Sequence, residues 1–412
     1  MASPNCGNQR DGASVAPNEA KNSMFRPILR SLVGAAAIGA IGVAILPSSR
    51  FVALLIYVLV FATLCYWVAV SKGLLQNVLL AAASIAFGLG AIETGVLLFG
   101  KQSVTEQARG SFSTDTPLGW APARAGVIRE KKVAPDGVVI YDVAMTIDDH
   151  RTRVVDSPRE GPTVAFYGDS FTFGVGLQDR ETMPQALADL LERKYRVLNL
   201  AGPGYSPSQF LRAVELGLHD DLLPKDTRLV VFLTSPWHAV RTGCKVDFVF
   251  YAPSYDLENG APALKGNCAA RFPAPRRLLE IAFRSTPAFR YFFAQREGQV
   301  TRADLDLYIA MLIQAGKIVR EKYGAPTLLL YLPDDMSSAR YARDGVYGND
   351  EIVAKLREGA LDVVDATLDG NRYGMQHLFI PGDGHPTGLA AKIWAGQIKD
   401  YLEKSAAGAT AR

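Results

Sequence analysis

Charge is sparse in the first hundred residues and dense after them. Within that front part three apolar stretches follow one another: Leu32–Leu46, Phe51–Val70 without a charge, and Leu74–Phe99 with one acid, Glu93. A helix needs about 20 apolar residues to cross the hydrocarbon layer. The pattern therefore predicts three transmembrane helices within 31–100, the first completed by its flanks, behind a tail at 1–30. A signal peptide with Arg26 and Arg30 as its basic flank would fit the first stretch alone, but two more stretches follow at once. Lys and Arg near the spans set orientation. Arg10, Lys21, Arg26 and Arg30 precede the first stretch, which puts the tail in the cytoplasm. Three crossings then put everything beyond residue 100 outside, in the periplasm of a bacterial inner membrane. The lipid bilayer is thus an expected partner, and Glu93 is expected at the outer end of its span, within reach of water.

Beyond residue 100 the pattern changes twice. Residues 101–160 read as a linker with a β-hairpin in "GVVIYDVAMTIDDHRTRVV". From residue 163 short apolar runs alternate with helix-like periods. The runs "TVAFY", "YRVLNL", "RLVVFLT", "APTLLLYLP" and "LDVVDA" are the expected strands. Met183–Tyr195, Ser208–His219, Arg302–Tyr323, Asp350–Gly359 and Gly388–Glu403 are the expected helices. Such alternation predicts an α/β domain at 161–405 whose parallel sheet is covered on both faces. Residues 236–300 break the alternation and read as an insertion. In open parallel sheets sites form at the carboxyl ends of strands. Ser170, "NLAGPGYS", "TSPWHAVR" and "DGHPT" all fall there.

Composition narrows the function classes. The 412 residues carry a net charge of +3 without a dense Lys/Arg stripe, so nucleic acid is not an expected partner. Of the cysteines, Cys244 and Cys268 lie in the outer part, where an oxidising compartment favours a disulfide between them. Such a loop closure stabilises by about 3 kcal/mol in the chain-entropy picture. No CxxC or HxxxH spacing accompanies them, so the cysteines do not point to a metal site, and serine chemistry needs neither a metal nor an organic cofactor.

A serine hydroxyl is a poor nucleophile unless a base lies within hydrogen-bond reach. His385, in the turn "PGDGHPTG", is the candidate base for Ser170, and Asp383 is placed to orient it. An ordinary Gly/Pro turn with Asp383 or Thr387 near a helix cap is the competing reading. An oxyanion needs fixed N–H donors. The backbone of Ser170 and of Gly204 can supply them.

"GDSFTFGVG", "VLNLAGPGYSPSQ" and "PGDGHPTGLAAKIWA" together resemble the first, second and fifth blocks of the SGNH (GDSL-type) hydrolases. The resemblance covers roughly residues 160–403. It implies a three-layer sandwich around a flavodoxin-like parallel sheet, here preceded by the three transmembrane helices. It also implies Ser170 as nucleophile, His385 as base and Asp383 as its partner, with oxyanion donors at Ser170 and, by position in the second block, Gly204, Gly202 being the runner-up. Two departures stand out. The family's third block usually reads Gly-x-Asn-Asp, whereas the matching loop here is "LTSPWHAVR"; either the hole has two donors, or His238 donates instead, with His238 and Asn199 the candidate oxyanion or substrate residues. The fifth block is Asp-x-His rather than Asp-x-x-His, which leaves Asp365 and Asp369 as alternatives to Asp383.

The resulting expectation is a membrane-anchored periplasmic serine esterase acting on acyl, chiefly acetyl, esters. One alternative is an O-acyltransferase that modifies envelope or exported polysaccharide with a membrane acyl-transfer partner. The other is an inactive glycan-binding module. An ester or acylated glycan is the expected substrate, and 236–300 the expected source of specificity.

Overall fold

The computed structural model describes residues 49–100, 103–108, 110–284, 286–293, 298–334 and 345–410. The chain divides into two units, Met1–Gly100 with Ala282–Tyr291, and Lys101–Ile281 with Phe292–Arg412.

In the first unit, α1 (Ser49–Val70) and α2 (Leu74–Phe99) form a hairpin, with Phe61 and Phe87 in ring contact at 5.5 Å. Among the described residues α2 is the one helix long and apolar enough to cross a membrane; Tyr57–Val70 of α1 is a shorter apolar stretch. One candidate crossing therefore stands where three were expected, and Leu32–Leu46 lies outside the described residues. Glu93 is not at water: it is 2% exposed. Its Oε2 accepts the N–H of Ala288 at 3.1 Å, in the first turn of a short helix, Pro287–Phe292. A carboxylate suits that position, where free N–H groups and the helix dipole both favour negative charge.

The second unit begins with an antiparallel sheet of β1 (Val104–Gln107), β2 (Gly126–Val133) and β3 (Val139–Ile147), in the order β1-β2-β3. The alternating burial of β3 is what a one-sided sheet produces. Then come β4 (Thr163–Tyr167), α3 (Ser170–Phe173), α4 (Met183–Leu190), β5 (Arg196–Asn199), α5 (Pro207–Leu216), β6 (Leu229–Thr234) and α6 (His238–Thr242). After the hairpin β7 (Pro253–Glu258) and β8 (Ala261–Asn267) follow α7 (Arg302–Tyr323), β9 (Thr327–Tyr331), α8 (Asn349–Glu358), β10 (Asp362–Asp365) and α9 (Gly388–Thr410).

Strands β4, β5, β6, β9 and β10 make a five-stranded sheet in the order β10-β9-β6-β4-β5, every neighbour parallel. Both faces are buried, as the unbroken apolar runs require. Val164 and Phe166 pack with α4 and α9 on one face, around Trp394. Ala165 and Tyr167 pack with α5 and α7 on the other, around Phe210 and Tyr308. Counted from β4, the order is the 2-1-3-4-5 arrangement of a flavodoxin-like sheet, which opens a crevice where the chain leaves β4 and β6 in opposite directions. Cys244 and Cys268 are joined in a disulfide with Cα atoms 5.5 Å apart.

Candidate active site

The crevice is lined from four directions. Strand β4 ends at Tyr167 and the chain turns sharply through Gly168. A Cβ on Gly168 would sit 2.3 Å from Thr172 Oγ1, so only glycine lets the first turn of α3 fold back this closely. Asp169 caps α3, its Oδ1 accepting the Phe171 N–H at 2.9 Å. Ser170 is the first residue of α3 and 7% exposed. It therefore stands at the strand end with its own N–H ahead of the helical hydrogen bonds.

The last loop holds the candidate base. "PGDGHP" folds over itself, with Ile380 N–H donating to His385 O at 2.8 Å and Gly384 N–H to Ile380 O at 2.9 Å. Asp383 Oδ2 accepts from His385 Nδ1 at 2.5 Å and from the His385 backbone N–H at 3.1 Å. Its Oδ1 is ion-paired with Lys132 Nζ, from β2. The Asp383 side chain is 1% exposed and that of His385 25%. Burial acts to raise the Asp383 pKa, but the His385 hydrogen bond and then Lys132 outweigh it and hold the carboxyl well below its ordinary range. Because Nδ1–H is committed to Asp383, Nε2 is the nitrogen with a lone pair.

Ser170, Asp383 and His385 line one cavity of about 280 Å³ with Trp237, Arg241 and Phe248. Among the described residues no hydrogen bond joins Ser170 Oγ to His385. The His385 ring is set against Phe171, centroids 5.7 Å apart. A serine, an oriented imidazole and a buried carboxylate around one cavity can carry out nucleophilic acyl transfer. Asp365 and Asp369 are occupied elsewhere, Asp365 on Thr367 and Asp369 capping Asn371 and Arg372.

The second loop contributes Gly204. Its φ is +74°, and a Cβ there would lie 3.1 Å from the Phe248 ring. No backbone acceptor takes its N–H among the described residues. Gly202, the runner-up, already donates to Gly168 O at 3.1 Å. Asn199 is 1% exposed and spends its amide on the carbonyls of Thr172 and Phe173, at 3.3 and 3.4 Å. It seals the end of α3 and has no donor left for the cavity.

His238 is likewise turned inward, with no exposure at all. Its Nε2 lies 3.1 Å from Asp169 Oδ2 and its Nδ1 3.1 Å from Thr234 Oγ1. Asp169 is also ion-paired with Arg241 Nη1 at 2.9 Å. Burial would raise the Asp169 pKa, but the His238 hydrogen bond and the Arg241 charge win, and the carboxyl is held well below its usual range. Burial then keeps His238 neutral, with its pKa lowered. Asp169 only accepts, so Nε2 carries the proton and Nδ1 accepts the Thr234 hydroxyl. Thr234 Oγ1 in turn accepts from Tyr308 at 2.8 Å. Both expected donor side chains, His238 and Asn199, are thus consumed within the protein.

Sequence reasoning missed Lys132, Asp169 and Arg241. Asp169 lies inside the Gly-Asp-Ser turn and Arg241 in α6, just after β6; Lys132 left no local signal. Among the described residues no group of three or more His, Cys, Asp or Glu side chains could hold a metal ion.

No protein-family model and no curated protein matches the chain. Among solved structures it is similar to a lipolytic-family G-D-S-L protein from Desulfitobacterium hafniense DCB-2 (12% identity, 59% of this chain and 99% of that one, TM-score 0.32). It is also similar to a member of the lipolytic protein G-D-S-L family from Veillonella parvula DSM 2008 (13%, 58% and 97%, 0.34) and to TesA (17%, 59% and 98%, 0.33). These likenesses are too distant to assign a role to any residue, which is left to the geometry of the crevice.

Proposed function

We propose that the protein is a membrane-anchored serine esterase of the SGNH type. The observation that carries this reading is the Asp383–His385 pair, oriented and half-open, sharing one cavity with Ser170 at the switch point of the sheet. In the proposed reaction Ser170 Oγ forms a bond to the ester carbonyl carbon while its proton passes to His385 Nε2. The backbone N–H groups of Ser170 and Gly204 hold the oxyanion. Collapse breaks the ester C–O bond, and the proton on Nε2 goes to the departing alcohol. Water, deprotonated by His385, then attacks the acyl-enzyme and releases the acid and free Ser170. Asp383 stays ionised throughout and stabilises the imidazolium.

The substrate class that fits is a short-chain ester, chiefly acetyl on an envelope glycan, since Trp237 and Phe248 leave a small apolar-walled cavity. A sugar hydroxyl in place of water would make the same steps an O-acyl transfer. The disulfide supports a periplasmic location, because such bonds persist in oxidising compartments. The helix α2 supports the anchor.

The test is hydrolysis of p-nitrophenyl acetate by the full-length protein in detergent, beside Ser170→Ala. A rate that falls at least about 1,000-fold in the variant supports the reading. Equal rates in both proteins, or binding of acetylated glycan with no turnover by either, would leave a glycan-binding module.

A further inference from the structure

Arg241 spends a single nitrogen on two acceptors. Nη1 donates to Asp169 Oδ2 at 2.9 Å and to the Tyr205 carbonyl at 2.9 Å. Asp169 is the residue before Ser170, and Tyr205 is the residue after Gly204. The two loops that carry the proposed oxyanion donors are therefore tied together by one side chain, immediately beside the donors themselves. Below that tie the loops have a backbone bond, Gly202 N–H to Gly168 O at 3.1 Å. The guanidinium also lies over the Phe248 ring, 5.5 Å from its centroid, and that ring covers Gly204. Nε and Nη2 have no partner among the described residues, and Arg241 lines the cavity with Ser170.

We infer that Arg241 is a positioning residue that sets the spacing of the Ser170 and Gly204 N–H groups and brings a fixed positive charge to the developing oxyanion. The inference rests on the esterase reading. A planar guanidinium suits this role, because its two Nη1 hydrogens diverge toward two acceptors while the rest of the fork stays open. A lysine could reach the same acceptors only as a mobile point charge. The carboxylate of Asp169 fixes the guanidinium without depending on solvent, because it is fully buried. Donors held before the reaction begins need no reorganisation when charge develops, so their value appears in the transition state rather than in substrate binding.

The test uses full-length protein in detergent and two probes. One is p-nitrophenyl acetate. The other is a fluorophosphonate, which joins phosphorus to Ser170 Oγ as fluoride leaves and demands the same oxyanion site. Arg241→Met should lower kcat about 100-fold with KM within about threefold, and should slow Ser170 phosphonylation in parallel. Arg241→Lys should recover roughly tenfold of the loss. Guanidinium ion added to Arg241→Gly at constant ionic strength should raise its rate at least about fivefold, since it refills the vacated site. An undiminished kcat in Arg241→Met overturns the inference, as does a loss that lies wholly in KM. A loss that neither Lys nor guanidinium restores marks a merely structural residue and overturns it too. Wild-type protein without Ser170-dependent turnover overturns this inference and the esterase reading together.

Discussion

Two histidine–aspartate pairs stand on either side of Ser170, and they are opposites. In Asp169–His238 both side chains are fully buried and both ring nitrogens are occupied. In Asp383–His385 one ring nitrogen is occupied and the imidazole is a quarter exposed. The residue types are the same, and the carboxylates are both held well below their usual pKa range. What differs is whether the imidazole has a nitrogen left over. A histidine with two protein partners is a strut; a histidine with one still has a nitrogen that can take a proton.

Four changes would break or sharpen this contrast, the largest first. His385→Ala should reduce kcat/KM for p-nitrophenyl acetate by at least about 10⁴-fold, an effect larger than its cost in chemical denaturation, about 1 kcal/mol for the hydrogen bond lost by Asp383. His238→Ala should do the reverse. It leaves Asp169 short of a buried partner and should cost about 3 kcal/mol of stability, read from the denaturation midpoint. If His238→Ala abolished activity at full stability, the two pairs would have to exchange roles.

The third change is pH. His238 has its pKa lowered by burial, and so does half-buried His219, whose pKa is pushed down to about 4. In each case the unfolded chain binds the proton first. The stability contributed is present above about pH 6.5 and is lost as pH falls below it, by up to about 1.4 kcal/mol per pH unit for each histidine. Thermal melts between pH 7 and pH 4.5 should show the decline, and His219→Phe should make it shallower. The same slope in wild type and His219→Phe would remove His219 from the account. The smallest effect is at Lys132. Lys132→Met takes the ion pair from Asp383 Oδ1 and should slow turnover about tenfold, with Lys132→Arg recovering most of it. An unaltered rate in the methionine variant would mean that His385 alone suffices to hold Asp383.

The two pairs also show what a sequence makes legible. Ser170, Asp383 and His385 sit in glycine-flanked turns at strand and helix ends, and such turns leave a readable signature because few residues tolerate their backbone. Strand alternation was legible for the same reason of period. The order of the strands was not, since pairing is decided by packing on two faces at once. Lys132 stands 251 positions from Asp383 in a stretch read as linker, and nothing local marks an ion pair across that distance. His238 and Asn199 were attractive as donors because they lie at the right strand ends. Whether a donor is spent inside the protein depends on partners such as Thr234 and the carbonyl of Phe173, which only folding brings near.

The bond from Ala288 N–H to Glu93 carries a consequence for anyone who handles this protein in pieces. The chain passes between its two units three times, after residues 100, 281 and 291. A protease that nicks the stretch just after Gly100 therefore does not release the rest: Ala282–Tyr291 still grips α2. A fragment begun beyond that nick by recombinant means lacks its partner helices altogether, and presents to solvent a segment folded to lie against them. Such a fragment is a candidate for self-association, and its clumping would say nothing against the fold of the intact chain.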